Sequence, residues 1–272
     1  MAEKKLLHIV CDYKAGGMEF GEIVTNLYQH LNNPDQVLIH HTEVPPLDTV
    51  GLGFVTAQYA LAPFQGERVI YGNAAPRRIE SKAQKDNLGE GIKYALLDNG
   101  TEVINVYSDY AFGFMKNHIV ELREVECPAA GSQFRSRDFF PERVAYLLNG
   151  DKRYLGEKLD VNKIPEILSN QVAWTDGFGN IKTTMRASHL KSLGFEPGEK
   201  VRVTLNGVSM IGIIAVGGFA VDRGVLAINL GSSGYSDPFV ELFLRVHYMS
   251  EQTAAVRFGY PVGGAEFEIN AL

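Results

Sequence analysis

The sequence lacks several features that mark particular classes of protein. It has only two cysteines, Cys11 and Cys127, which lie far apart and form no C-x-x-C pair. A structural zinc site or a disulfide framework is therefore not indicated. No apolar run approaches the roughly 20 residues that a membrane helix needs, and the run over residues 6–11 is too short for the core of a signal peptide. These absences predict a cytoplasmic protein that binds no metal and no membrane.

The sequence also lacks an excess of basic residues. Its 26 lysines and arginines are outnumbered by 32 aspartates and glutamates, which gives a net charge of -6. Such a balance offers no electrostatic footprint for nucleic acid or an anionic membrane, so a small molecule is the expected partner. No G-x-x-x-x-G-K-[ST] phosphate loop is present, and the pair Gly16 and Gly17 lacks a full dinucleotide fingerprint.

Two further kinds of chemistry have little support. His40 and His41 stand next to each other near Glu43, but neighbouring residues on a strand point to opposite faces, so they do not readily share one ion. Neither cysteine has a histidine at a spacing typical of a catalytic nucleophile.

The first half of the chain alternates between strand and helix patterns. Apolar runs predict strands over residues 6–11, 37–40 and 68–71, and helical periodicity predicts helices over residues 20–31 and 50–62. Strand, helix, strand, helix, strand is the signature of an α/β fold. We therefore expect residues 1–160 to form an α/β domain, with a mostly parallel sheet flanked by helices.

The second half has a different pattern. From Gln171 onward, short apolar runs are separated by Gly, Pro and Asn, which predicts a smaller, mostly β, barrel-like domain over residues 171–272. The polar segment 151–170 has weak periodicity and is predicted to be the linker between the two domains. At 272 residues, the chain has the length of a two-domain protein.

The most distinctive segment runs from Trp174 to Thr184, between two strand-like runs. Its two glycines, at 177 and 179, allow positive φ and a close backbone approach. Asp176 and Asn180 offer an acceptor and an amide, and Phe178 offers a ring face for stacking. The pattern indicates a ligand-binding turn, although a hairpin turn capped by an aspartate has the same composition.

Six segments, in this order, resemble motifs of one family, the S-adenosylmethionine hydrolases and halogenases, also called SAM hydroxide adenosyltransferases. Residues 11–14 resemble its T-D-F-G, residues 39–46 its D-I-T-H-E-I-P-P, and residues 97–100 its P-D-N-G. Residues 134–138 resemble F-H-G-R-D, residues 176–184 match D-x-F-G-N-x-x-T-N closely, and residues 254–263 resemble A-A-x-x-x-G-x-x-x-G. The resemblance spans nearly the whole chain.

The resemblance implies an adenosyl site between the large domain of one subunit and the small domain of its neighbour in a homotrimer. S-adenosylmethionine would be the substrate, with no other cofactor. Asp12 would hold the ribose hydroxyls, since a carboxylate accepts two hydrogen bonds from a vicinal diol. Phe178 and Asn180 would contact the nucleoside, and Asp176 would lie near the methionine amino group. The alternative for Asp12 is a cap or turn residue after a strand.

Other binding residues follow from the same resemblance. Backbone groups around Ala254 would meet the adenine edge, and Ser232 and Ser233 would grip the amino-acid carboxylate. Asn73 lies in the stretch that matches the family's V-D-P-G-V-G and is a further candidate for substrate binding. Gly-Ser-Ser-Gly is also a common loop sequence, so Ser232 and Ser233 have a purely structural alternative.

The sequence departs from the family at the residues that handle water in the hydrolases. The acid of V-D-P-G-V-G is missing from residues 69–76, and Arg135 replaces the histidine of F-H-G-R-D. Arg77 or Arg78 preserves the family's arginine. Ser136 stands where the fluorinating enzyme has a halide-contacting serine, and a serine hydroxyl or an arginine beside it could bind an anion. Alternatively, Ser136 is an ordinary turn residue and Arg135 forms an ion pair with Asp138, so that neither binds an anion.

The resemblance therefore implies an adenosyl-transferring enzyme that acts at the ribose C5′ of S-adenosylmethionine and releases adenosine and methionine. Its candidate catalytic residues are Arg77, Arg78, Arg135 and Ser136. Because two of the three hydrolase residues are unmatched, a catalytically impaired protein that binds S-adenosylmethionine or adenosine is one alternative. An enzyme that acts on a related nucleoside with an anionic group is another.

Overall fold

The computed structural model describes residues 4–75, 91–128, 132, 134–246 and 252–272. The chain divides into two compact units, Met1–Glu166 and Ile167–Leu272. Each unit is built on one seven-stranded sheet. The segment 151–170, predicted as a linker, contains the strand Leu155–Lys158, which belongs to the first sheet.

In its described residues, the first unit combines seven strands with four α-helices. Its strands are β1 Lys5–Cys11, β2 Val37–Glu43, β3 Arg68–Asn73, β4 Ile92–Leu97, β5 Glu102–Val106, β6 Ile119–Val125 and β7 Leu155–Lys158. Its helices are α1 Met18–His30, α2 Thr49–Leu61, α3 Arg135–Asp138 and α4 Phe140–Leu148. The strand order across the sheet is β2-β1-β3-β5-β4-β6-β7.

The prediction of an N-terminal α/β domain on a mostly parallel sheet is wrong. Strands β2, β1, β3 and β5 pair in parallel, but the pairs β5–β4, β4–β6 and β6–β7 are antiparallel. The described part of the chain has two seven-stranded sheets and only six α-helices, so strands dominate it. The α/β signature describes only the first three strands.

The antiparallel half of the first sheet has a local cause. Strands β4 and β5 are joined by the tight turn at Asp98, Asn99 and Gly100, in which the Gly100 N–H donates to the Leu97 carbonyl at 2.9 Å. Gly100 has a φ of +81°, which favours glycine. So short a connection can join only antiparallel strands, because a parallel pair needs a crossover.

The core of the first unit fixes the position of the strand ends. Leu7, Ile9 and Cys11 of β1 are fully buried on the face that packs against α1 and α4. On α1, Ile23 and Leu27 are buried four residues apart, which is the spacing of one helical face. Helix α2 is buried on nearly all sides and is capped by Asp48, whose carboxylate accepts a hydrogen bond from the Gly51 N–H at 2.7 Å.

The part of the second unit that the structure describes is a sheet with two short helices. Its strands are β8 Val172–Thr175, β9 Ile181–Arg186, β10 Lys200–Leu205, β11 Val208–Ala215, β12 Leu226–Leu230, β13 Phe239–Leu244 and β14 Phe267–Ala271. Its helices are α5 Ala187–Ser192 and α6 Ala254–Arg257. The strand order is β14-β10-β11-β12-β13-β9-β8.

The second sheet curls into a half-barrel. An antiparallel bridge between Gln171 and Glu266 brings its two outer strands together, and the Val172 N–H donates to the Ala265 carbonyl at 2.8 Å. Within the described ranges, no helix is long and apolar enough to cross a membrane.

Candidate functional site

The candidate site in the first unit lies where two neighbouring parallel strands end. β1 ends at Cys11 and β3 ends at Asn73, and these two residues are paired in register. The chain passes from β1 to β2 on one side of β1, and then crosses to β3 on the other side. In sheets with such a reversal, ligands bind outside the carboxyl ends of the strands at that point. Asp12 and Asn73 both lie there.

Asp12 joins β1 to the loop that follows β2. One oxygen of its carboxylate accepts a hydrogen bond from the Leu47 N–H at 3.1 Å, and the Asp12 N–H donates to the Asn73 carbonyl at 3.3 Å. Leu47 has a φ of +67°, a conformation that costs a residue with a side chain roughly 1–2 kcal/mol. Strain of this kind concentrates at functional sites, and here the carboxylate of Asp12 holds the strained residue.

A network of side chains connects three elements at the same strand ends. The Tyr13 hydroxyl lies 2.7 Å from the Ser136 hydroxyl and accepts a hydrogen bond from the Asn73 amide nitrogen at 3.2 Å. Tyr71 of β3 donates to the Ser136 carbonyl at 3.5 Å. Ser136, on α3, is only 8% exposed. Sequence reasoning found Asn73 and Ser136 but missed Tyr13, which stands at the phenylalanine position of the family's T-D-F-G.

The environment of Tyr13 keeps its hydroxyl protonated. Burial raises the pKa of Tyr13, and the negative charge of Asp12 acts in the same direction. The hydrogen bond from Ser136 and the one from Asn73 oppose this shift without reversing it. Tyr71 is fully buried, and burial raises its pKa well above the ordinary value. Both phenols are therefore neutral at physiological pH.

Arg135, the neighbour of Ser136 on α3, packs against the first residue of α4. Its guanidinium is 5.4 Å from the centre of the Phe140 ring, a cation–π distance. It also lies close enough to Cys127 to lower the pKa of that thiol, although burial has the larger effect and raises it. The role of Arg135 as an anion-binding residue stays a prediction. Arg77 and Arg78 lie outside the described residues.

A contact between a cysteine and a histidine was not predicted from the sequence. The Cys11 sulfur lies 3.3 Å from Nε2 of His41 on the neighbouring strand β2. His40, on the opposite face, has its Nδ1 3.3 Å from Nδ1 of His8. Among the residues that the structure describes, no group of three or more His, Cys, Asp and Glu is arranged to hold a metal ion.

In the second unit, Asp176 organises the turn between β8 and β9. One carboxylate oxygen accepts hydrogen bonds from the N–H groups of Phe178 and Asn180, at 2.9 and 3.0 Å. The other oxygen accepts from the Asn180 amide at 3.1 Å and lies 3.8 Å from the Lys182 ammonium. The carboxylate therefore fixes the turn itself. Asp176 and Asn180, both predicted to bind ligand, are partners of each other.

The same turn holds an exposed aromatic ring beside the start of α6. Phe178 is 83% exposed, whereas Ala254 is buried. The two segments are joined by a hydrogen bond from the Ala255 N–H to the Gly179 carbonyl at 3.0 Å. Gly179 has a φ of +76° and is packed tightly against Thr253. The structure thus brings Phe178 and Ala254 to one region of this unit.

Ser232 and Ser233 lie in a loop after β12, and a chain of charged residues connects this loop to the turn at Asp176. The Lys182 ammonium lies 3.3 Å from the Glu241 carboxylate on β13. Glu241 in turn lies beside Gly231, since a side chain at that glycine would come within 2.7 Å of its carboxylate. The Ser233 carbonyl accepts a hydrogen bond from the Phe239 N–H at 2.8 Å. Lys182 and Glu241 were not predicted from the sequence.

Comparisons with known proteins give the fold alone. The chain is similar to a solved structure described as an uncharacterized conserved protein from Thermotoga maritima, with a TM-score of 0.73 and 18% identity over 97% of this chain and 99% of that one. It is also similar to a conserved hypothetical protein from Thermus thermophilus, with a TM-score of 0.66 and 15% identity over the same shares. No family model and no curated relative matches the chain.

Proposed function

We propose that this protein is an adenosyl-transferring enzyme that acts at C5′ of S-adenosylmethionine and produces adenosine and methionine. The observation that carries the proposal is the meeting of Asp12 and Asn73 at the adjoining carboxyl ends of β1 and β3, beside the Tyr13 and Ser136 hydroxyls. The six motif-like segments supply the substrate class. The solved structures of similar fold are of uncharacterized proteins, so they do not contribute to it.

In the proposed reaction, the oxygen of water forms a bond to C5′. The bond between C5′ and the sulfonium sulfur breaks, its electron pair stays on sulfur, and methionine leaves as a neutral thioether. One proton of the attacking water passes to solvent. Because the sulfonium already activates the carbon, the protein's contribution is alignment of water with the breaking bond and exclusion of bulk solvent.

The residues take the following roles in this proposal. Asp12 accepts hydrogen bonds from the ribose diol, since a carboxylate has room for several donors beyond the Leu47 N–H. The exposed ring of Phe178 stacks on the nucleobase, and Asp176 and Asn180 hold the turn that presents it. The homotrimer implied by the resemblance is part of the proposal, and sedimentation of the purified protein measures it.

One observation favours a second candidate, a protein that binds the same nucleoside without turning it over. Strand β3, Arg68–Asn73, contains no carboxylate, and the buried phenol of Tyr71 occupies the stretch where the hydrolases carry their acid. A buried phenol with a raised pKa does not act as a base towards water.

Incubation of the purified protein with S-adenosylmethionine, with and without chloride, separates these candidates. We expect adenosine and methionine to accumulate in equal amounts, measured by chromatography, and the rate to be independent of chloride. Saturable binding without product would favour the binding protein, and a chlorinated nucleoside would replace water by halide as the nucleophile. If the protein neither binds nor turns over S-adenosylmethionine, the proposal is overturned.

A further inference from the structure

His8 and His40 form a pair of imidazoles on one face of the first sheet. They are paired in register on the neighbouring parallel strands β1 and β2, so both side chains lie on the same face. The Nδ1 atoms of the two rings are 3.3 Å apart. This distance is longer than the roughly 2.7–3.2 Å of N–H···O hydrogen bonds. It matches the separation of about 3.3–3.4 Å between two nitrogens that bind one Zn²⁺ tetrahedrally at roughly 2.0–2.1 Å.

Tyr59 of α2 holds both imidazoles in place. Its ring stacks on His8 with 4.4 Å between the ring centres, and it packs edge to face against His40 with 5.8 Å between the centres. The Tyr59 hydroxyl lies 2.7 Å from the hydroxyl of Thr42, two residues after His40 on β2. Packing therefore orients the two rings before an ion arrives, which lowers the entropic cost of binding.

The pair is open to solvent, and its surroundings select the kind of ion. His40 is exposed, and β2 lies at one edge of the sheet. The positive charge of Arg68 lies close enough to His8 to disfavour a cation that is held by charge alone. Among the described residues, no third His, Cys, Asp or Glu joins the pair. Mg²⁺ and Ca²⁺, which need several oxygen ligands, are therefore disfavoured relative to ions that prefer imidazole.

We propose that His8 and His40 bind a divalent transition-metal ion through their Nδ1 atoms, with water in the remaining coordination positions. The expected order of affinity is Cu²⁺ above Ni²⁺ and Zn²⁺. The sequence predicted no metal because His41, the neighbour of His40, lies on the opposite face. The second ligand comes instead from β1, 32 residues earlier. The motif D-I-T-H-E-I-P-P has isoleucine at the position of His40, so the pair is a feature of this chain.

Calorimetric titration of the untagged protein, first stripped of metal with a chelator, tests the inference with Cu²⁺, Zn²⁺ and Mg²⁺ at neutral pH. We expect one site for Cu²⁺, weaker binding of Zn²⁺ and no binding of Mg²⁺ at the same concentrations. His8→Gln and His40→Gln should each weaken Cu²⁺ binding at least about tenfold, since changes to the supporting partners of a ligand already cost that much. His118→Gln, at another exposed histidine of the same unit, should match the wild type.

Electron paramagnetic resonance of the Cu²⁺ complex identifies the ligands directly. We expect coupling to the nitrogens of two imidazoles in the wild type and loss of that signal in His40→Gln. Because His40 is exposed, its replacement should leave the fold intact, which circular dichroism checks. Equal Cu²⁺ affinity in the wild type and His40→Gln would overturn the inference. If neither Cu²⁺ nor Zn²⁺ binds, the two imidazoles share only a hydrogen bond, and the inference is wrong. The hydrolysis of S-adenosylmethionine is measured separately, so neither result changes the proposed function.

Discussion

The sulfur of Cys11 lies 3.3 Å from Nε2 of His41, yet the pair is not arranged as an activated thiol. Burial, helped by the nearby charges of Asp12 and Glu43, raises the pKa of Cys11 to about 12. Burial also lowers the pKa of His41, so the imidazole is neutral and offers no positive charge to the sulfur. Contact between a cysteine and a histidine in the fold is thus insufficient for nucleophilic chemistry, which requires a thiolate.

The first prediction concerns the reactivity of this thiol. At pH 8 the native protein should react with iodoacetamide at Cys127, which is partly exposed, much faster than at Cys11, which is fully buried. Mass spectrometry of peptides after timed labelling measures both rates. In denaturing urea the two rates should become similar, because the difference comes from burial. Rapid labelling of Cys11 in the folded protein would contradict this account.

The second prediction compares two glycines of the same turn. A side chain at Gly179 would overlap Thr253, and the φ of +76° adds strain, so Gly179→Ala should destabilise the protein by roughly 2–4 kcal/mol. Gly177 has open space around its Cα and no left-handed φ. Gly177→Ala should therefore change the free energy of unfolding by less than about 0.5 kcal/mol. Urea unfolding of both variants measures the difference. Equal losses in the free energy of unfolding would show that the backbone conformation and packing at Gly179 do not require glycine.

Local elements of the fold were predicted well from the sequence. The periodic runs at residues 20–31 and 50–62 correspond to α1 and α2, and the apolar runs at residues 6–11, 37–40 and 68–71 correspond to β1, β2 and β3. These features depend on contacts between residues close together in the chain. The fold class was wrong because the direction of strand pairing beyond β5 depends on contacts across the sheet, which periodicity does not report.

The candidate site was predicted in part for the same reason. Asp12 and Asn73 follow apolar runs, so their position at strand ends was visible in the sequence. The contact of Tyr13 with Ser136 joins residues 123 positions apart, and that of Cys11 with His41 depends on the register between β1 and β2. Neither contact has a sequence signal. Asp176, by contrast, stood out in the sequence as a ligand-binding residue. In the structure its carboxylate accepts hydrogen bonds within its own turn, so a structural role explains its position.

The third prediction concerns the pH dependence of stability through His8. Burial lowers the pKa of His8 to about 4, with further contributions from His40 and Arg68. Between the unfolded pKa of about 6.5 and this folded value, the unfolded chain binds a proton that the native protein does not, so stability rises with pH. Stability is therefore lost as the pH falls from 6.5 towards 4.

The variant His8→Gln removes this proton uptake. Urea midpoints measured at pH 7 and pH 5 should fall less in His8→Gln than in the wild type. Because His8 is only partly buried, the effect should be well below the full value for a buried group. His118→Gln, a change at a surface histidine paired with Asp98, serves as the control. If the urea midpoint falls equally in the wild type and His8→Gln, His8 is not the source of the pH dependence.

The fourth prediction separates the two roles of Asp12. If its carboxylate binds the ribose diol, Asp12→Ala should weaken adenosine affinity by about 1.5–3 kcal/mol, the range for hydrogen bonds to a charged group. The same substitution also removes the acceptor of the Leu47 N–H, so a loss of affinity alone could come from the loop.

A second variant resolves this ambiguity. Leu47→Gly adopts the φ of +67° without strain, so in the Asp12→Ala background it should restore stability. It should not restore adenosine affinity if the carboxylate itself contacts the ribose. Calorimetry of adenosine binding and urea unfolding of the wild type, the single variants and the double variant give both quantities. Recovery of affinity in the double variant would assign Asp12 to the support of the loop, and unchanged affinity in Asp12→Ala would remove it from the site.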